Sequence, residues 1–171
     1  LVQDIFSRKI YARPLSGTSP QEVTAAFRDI LSGTTAPKEL STDQGAEFNN
    51  PPFPQLLKDR NIAHRVKIPK DRNAIATLDR AIQSLKTALS QEDGPWAKKL
   101  EKVVRGQNAA PHGHLYGSAP KDVKEDKVLQ FRLKEQGIDD RDHNIEINQK
   151  RANQLEKGGA YRTEELLNKF E

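Results

Sequence analysis

The sequence predicts an α/β domain, a mixed sheet flanked by helices, followed by a charged helical extension. Three observations carry that prediction. Short runs rich in β-branched and aromatic residues alternate with segments whose apolar residues recur every three or four positions. Those segments are punctuated by helix caps and by Gly and Pro at their ends. Beyond Pro120 apolar residues thin out and charge density rises.

The elements follow in order. Leu1 to Phe6 and Lys9 to Leu15 read as the strands of a hairpin, with a tight turn around Ser7-Arg8 and strand-favouring Ile10 and Tyr11. Ser19-Pro20-Gln21-Glu22 is a capping box with Pro at the first helical position. Val23, Ala26, Phe27, Ile30 and Leu31 then keep helical spacing until Gly33 stops them. Glu39 to Thr42 forms a short strand that ends at Asp43, and Phe53 to Asp59 a short helix. Ile62 to Ile68 alternates as a strand, and Pro69 to Asn73 is a charged loop. Ile75, Leu78, Ile82, Leu85 and Leu89 mark the clearest helix, whose apolar stripe must face a core. A further helix, Trp96 to Val104, follows Gly94-Pro95.

Composition narrows the chemistry. With 171 residues, 35% of them hydrophobic, one compact core is expected. The absence of Cys excludes disulfides and thiolate metal sites, and four His make a His-rich zinc site a poor fit. Any metal would sit on carboxylate oxygens, which favour Mg²⁺ or Mn²⁺. No apolar run approaches a membrane span and no basic-then-apolar leader opens the chain, so a soluble intracellular protein without a membrane partner is expected. The lack of Met and a start at Leu1 inside an apolar run suggest a fragment cut at the front. Residues 121–171 carry 11 basic and 12 acidic side chains, which leaves 17 basic and 12 acidic for residues 1–120. That basic balance is weak support for a polyanionic partner.

Two carboxylates stand out. Asp43 lies two positions before Gly45, an arrangement that serves ordinary turns, yet it also follows directly on a strand, where open α/β sheets place their ligands. Asp79 falls beside the apolar stripe of the strong helix, with Gln83 and Lys86 on the same flank. A surface ion pair would account for Asp79 equally well.

"STDQGAEF", followed by "IAHRVKIPKDRNAIATLDRAIQSLKTAL", resembles the catalytic core of retroviral and retrotransposon integrases, polynucleotidyl transferases with a ribonuclease-H-like fold. That family carries an Asp-Asp-Glu set with 35 residues between the second and third carboxylates, and 35 residues separate Asp43 from Asp79 here. "NAAPHGHLYGSAP" resembles the segment that follows the core, and the likeness covers roughly residues 1–122.

The resemblance implies a carboxylate-held pair of Mg²⁺ or Mn²⁺ ions, with Asp43 and Asp79 as catalytic metal ligands. It also implies action on DNA, the element's own ends and a target, by a homo-oligomer in the full-length protein. Lys86, Gln83, Lys70 and Arg72 are the candidate nucleic-acid contacts, with Arg65 and Lys67 nearby; Lys86 is equally readable as a solvated surface group, and that reading is the ordinary one for the other basic residues. Two departures matter. The third carboxylate is Asp79 where the family has Glu. Asp4, in "LVQDIFSRK", resembles a non-catalytic Asp of the second strand, which places the first catalytic Asp on a strand upstream of Leu1. The chain as it stands is therefore expected to be inactive alone.

The expected organisation is an integrase core at 1–122 without its first strand, a charged helical or partly disordered connector at 123–157, and the start of a β module at 158–171. The expected function is DNA integration by metal-dependent phosphoryl transfer, in the nucleus if the host is eukaryotic. The alternative is a decayed or domesticated core that serves as a nucleic-acid-binding or interaction module.

Overall fold

A computed structural model describes residues 1–67 and 76–156. The predicted loop at Pro69 to Asn73, with Lys70 and Arg72, and the segment 158–171 lie outside the described residues. The chain divides into two compact units, Leu1–Glu125 and Asp126–Glu171.

The first unit opens with a hairpin, β1 (Val2–Gln3) antiparallel to β2 (Ile10–Tyr11), with Val2 opposite Tyr11 and Gln3 opposite Ile10. These strands are shorter than the sequence suggests because Asp4 diverts the chain. Its carboxylate accepts the Phe6 and Ser7 N–H groups at 3.4 and 3.1 Å and the Ser7 hydroxyl, and Arg8 turns the corner at φ 60°. Short polar side chains compete in this way with ladder hydrogen bonds.

Helix α1 (Pro20–Ser32) starts at the predicted box: the Ser19 hydroxyl accepts the Glu22 N–H at 3.3 Å, and Gly33 closes the helix. Strand β3 (Glu39–Thr42) runs parallel to β4 (Ala63–Val66), with Leu40 opposite His64 and Thr42 opposite Val66. Between them lie α2 (Ala46–Asn49) and α3 (Phe53–Asp59). The four-residue α2 has no apolar period to announce it in the sequence. Helices α4 (Ala76–Ser90) and α5 (Trp96–Ala109) follow; α5 runs five residues past the predicted end because Gly106 sits in it without ending it.

Both parallel and antiparallel pairing occur, as a mixed sheet requires, but among the described residues they form two separate two-stranded ladders. Helices cover two faces of the hairpin. Val2 packs with Leu40, Val23 and Phe48 on a buried cluster from α1, α3 and the turn after it: Phe27, Leu31, Phe53, Leu56, Leu57 and Ile62. Ile10, next along from Tyr11 and so on the other face, packs with Leu85, Leu100 and Val103 of α4 and α5. The Phe53 ring lies 5.4 Å from Phe27 and 5.2 Å from Phe48, within the range of favourable aromatic pairs.

Asn108, near the end of α5, ties that helix to the hairpin. Its side chain accepts the Ile10 N–H at 2.9 Å and donates to the Ile10 carbonyl at 2.8 Å, replacing a neighbouring strand at the outer edge of β2. In the second unit α6 (Lys127–Glu156) is a single helix, begun by the Asp126 carboxylate, which accepts the Leu129 N–H at 2.8 Å. Among the described residues no helix is long and apolar enough to cross a membrane.

Candidate functional site

The end of β3 is held firmly. The Thr42 side chain is buried, and its hydroxyl lies 2.9 Å from both the Asp43 carbonyl oxygen and His64 Nε2. One hydroxyl proton serves one acceptor, so with that proton on the carbonyl, His64 Nε2–H is the donor to Thr42. The His64 ring meets Phe53 edge-on at 6.2 Å, which connects the strand end to the core.

Asp43 comes next and is exposed. Its Oδ1 accepts the Gly45 N–H at 3.0 Å, so the turn role expected of an Asp in this position is present. Gly45 has φ −54° and needs no special backbone freedom; what its missing side chain provides is room, since a Cβ there would lie 2.6 Å from a Glu47 carboxylate oxygen. The other Asp43 oxygen, Oδ2, has no hydrogen-bond partner among the described residues. Turn and ligand roles are thus compatible: one oxygen orients the carboxylate and the second remains available.

Asp79 occupies the first turn of α4, where a negative charge is favoured by the helix dipole. It is exposed, as are Gln83 and Lys86, while Leu85 is buried on the opposite side of the helix. Asp79, Gln83 and Lys86 make no hydrogen bond or ion pair with other described residues, so the surface-pair account of Asp79 has no partner among them. Arg65 on β4 is exposed and Lys67 just beyond it is half-buried.

Among the described residues no group of three or more His, Asp or Glu is placed to hold a metal ion. Asp4 does not supply a third carboxylate, because its oxygens are used in the hairpin turn. The oxygen donors of Asp43 and Asp79, two carboxylates open to solvent, are of the type that suits a hard divalent cation.

Asn108 and His112 have roles that sequence reasoning did not separate from the segment in which they lie. Asn108 is structural. His112 has a buried Nδ1 without a hydrogen-bond partner among the described residues, and its ring stacks on His114 at 6.0 Å. Burial, with Arg8 and His114 adding like charge, holds the His112 imidazole below its ordinary pKa.

The fold defined by these elements is that of retroviral integrase catalytic cores. The core of BIV integrase superposes with a TM-score of 0.59 at 19% identity, over 68% of this chain and 78% of that one. The HTLV-2 integrase catalytic core domain in complex with magnesium gives 0.61 at 17% identity, over 71% and 80%. A chain of the simian T-cell lymphotropic virus intasome, solved with a PP2A regulatory subunit, gives 0.65 at 18% identity, over 70% and 45%.

Sequence comparison leads to retroelements. A transposon-derived protein of Caenorhabditis elegans is 30% identical over 128 residues, 71% of this chain and 43% of that protein. The Pol-related polyprotein of the mouse intracisternal A-particle MIA14 is 25% identical over 101 residues, 59% of this chain and 11% of the polyprotein. The chain thus spans less than half the length of either relative. No protein-family model matches it. The integrase-core resemblance read from the sequence is borne out by these likenesses.

Proposed function

We propose that this chain is the core of a retroelement integrase, and that Asp43 and Asp79 are its second and third catalytic carboxylates. The observation that carries the reading is the position of Asp43. It leaves the end of β3 with one oxygen anchored and the other without a partner among the described residues, and Asp79, likewise unpaired among them, follows 35 residues on at the start of α4, in a chain with the integrase-core fold.

Mg²⁺ or Mn²⁺ held by such carboxylates would supply activation of the attacking oxygen and stabilisation of the leaving oxygen of a phosphodiester. The chain's own contribution is placement. Thr42 and His64 fix the backbone at Asp43, the Gly45 N–H orients its carboxylate, and the apolar face of α4 fixes Asp79. Lys86 and Gln83, on the Asp79 flank, supply a cation and an amide to a DNA backbone, and Lys70 and Arg72 add two further cations. The working partners are DNA ends, a target DNA and further copies of the full-length protein, with the nucleus as the site of action in a eukaryotic host.

A second reading has one observation in its favour. Asp79, in the place where the family has Glu, also fits a core retained for nucleic-acid binding or protein interaction.

Strand transfer on a DNA-end substrate with Mn²⁺ or Mg²⁺ decides between them. The chain alone should be nearly inactive, and the chain carrying the residues that precede Leu1 in its parent gene should be active. In that longer form Asp43→Asn and Asp79→Asn should each abolish activity, and Asp79→Glu should retain it. If the longer form is inactive until Asp79→Glu is made, Asp79 is a lesion and the second reading holds.

A further inference from the structure

Phe131, Ile138 and Ile145 of α6 are 62, 49 and 47% exposed. They stand seven residues apart, close to two full turns, so all three lie on one side of the helix, and the exposed Ala152 continues the step. At about 100° per residue, the buried Leu129 and the half-buried Leu133 fall on the opposite side. The stripe therefore faces away from the covered side of α6. Single apolar residues at this spacing on an open helix face are the pattern of a seam between two helices.

The charges beside the stripe identify the second helix. Lys134 and Arg141, each three residues beyond a stripe residue, line one flank, and Glu135 and Asp142, each four residues beyond, line the other. All four are exposed. Lys134 and Glu135 make no ion pair with other described residues, and Arg141 meets Asp142, its own neighbour in sequence, at 3.3 Å. Glu146, further round the acidic side, is held within the helix by Lys150 at 2.7 Å. When two copies face each other through the stripe, parallel and in register, the basic flank of each meets the acidic flank of the other. Lys134 then stands opposite Glu135 of the second copy and Arg141 opposite its Asp142, and symmetry repeats both pairs. In the antiparallel arrangement like flanks meet and repel.

We propose that α6 is a pairing element through which two copies of this chain associate, parallel and in register, with Phe131, Ile138 and Ile145 on the seam and Lys134–Glu135 and Arg141–Asp142 bridging the chains. The seam is narrow, with one apolar residue for every two turns, so the pair is weak and forms as concentration rises. The inference goes beyond the proposed function, which calls for further copies of the protein without naming a surface for them. Its test reads association without DNA or metal, so the pairing and the carboxylate site stand or fall separately.

The chain contains no Cys, so single cysteines report the contact. Ile138→Cys and Ile145→Cys are each oxidised with glutathione disulfide, beside Asp140→Cys, on the other side of the helix, as a measure of random collision. In the parallel register each stripe position faces itself, and both stripe variants should form disulfide-linked dimers about tenfold or more faster than Asp140→Cys. A mixture of the two stripe variants should give only the two self-linked products, because positions 138 and 145 lie about 10 Å apart along the helix, beyond disulfide reach. Mixed products with little self-linking would mean antiparallel helices, and rates equal to that of Asp140→Cys would mean that no helix pair forms; either overturns the proposal. Charge variants give a second measure that leaves the stripe intact. Lys134→Glu with Arg141→Glu makes both flanks acidic and should raise the dimer dissociation constant, read by sedimentation equilibrium, about tenfold or more. Adding Glu135→Lys and Asp142→Lys, which exchanges the flanks, should restore it. A chain monomeric at every concentration would overturn the proposal, and so would a dimer whose constant does not move in the double variant, because association then runs through another surface.

Discussion

Asn108→Ala tests the packing logic at a buried polar joint. Asn108 reaches across 98 residues of sequence to bond both the N–H and the carbonyl of Ile10, and Ile10 is 4% exposed. Truncation leaves both backbone groups buried without partners. At about 1–3 kcal/mol for each of the two unsatisfied buried groups, the loss should be about 2–6 kcal/mol, a large share of the ~5–15 kcal/mol typical of a domain. At about 2–4 °C per kcal/mol for chains near this length, the melting temperature should fall by about 4–24 °C. Urea denaturation followed by far-UV circular dichroism gives the free energy, and hydrogen exchange at Ile10 gives the local effect. Asn108→Asp keeps the acceptor for the Ile10 N–H and loses the donor to its carbonyl, so its Ile10 amide should stay better protected than in Asn108→Ala. A cost for Asn108→Ala below about 0.5 kcal/mol, the size of an ordinary surface change, would refute the claim that this side chain closes the β2 edge.

Three further outcomes follow from the same structure. Leu57→Ala, at a side chain 1% exposed in the α1–α3 cluster, should cost about 2–5 kcal/mol in urea denaturation, and a loss under 1 would mean that cluster is not a packed core. Ser19→Ala should remove about 1 kcal/mol by unmaking the cap of α1, read as a fall in thermal midpoint. His112 is held neutral in the fold, so below the ordinary imidazole value of about 6.5 the unfolded chain takes up a proton that the folded chain does not. Stability should be full above that value and fall as the pH drops toward the lower folded pKa. His112→Gln should flatten the difference between urea midpoints at about pH 7.5 and 5.5, and an unchanged difference would rule this group out.

Regular elements with a strong local signal were legible from sequence. The capping box gave the start of α1 and Gly33 its end; β3 and α3 fall on their predicted residues, since their apolar runs and flanking turns agree. The hairpin was visible as a hairpin, but its strand lengths depend on where the Asp4 carboxylate bonds, which periodicity does not encode. Helix α2 escaped because four residues are too few for a helical period. Asp43 and Asp79 were singled out by spacing and resemblance. The turn bond at Asp43 was expected from its place before Gly45, whereas the Thr42–His64 contact behind it joins residues 22 positions apart and needed the fold. The role of Asn108 was hidden for the same reason: it lies in a segment recognised by likeness, while its partner Ile10 is 98 residues away.

The central claim is that Asp43 and Asp79 act as one site, and paramagnetic line broadening by Mn²⁺ tests it most directly. In the ¹⁵N-labelled chain, amide signals at Asp43 to Gly45 and at Asp79 to Arg80 should broaden together at the same Mn²⁺ concentration. Asp43→Asn should remove the broadening at both segments, because an amide keeps the shape of the side chain and loses the charge that holds the cation. Broadening at one segment alone, at neither, or at Asp79 undiminished by Asp43→Asn would contradict the shared site.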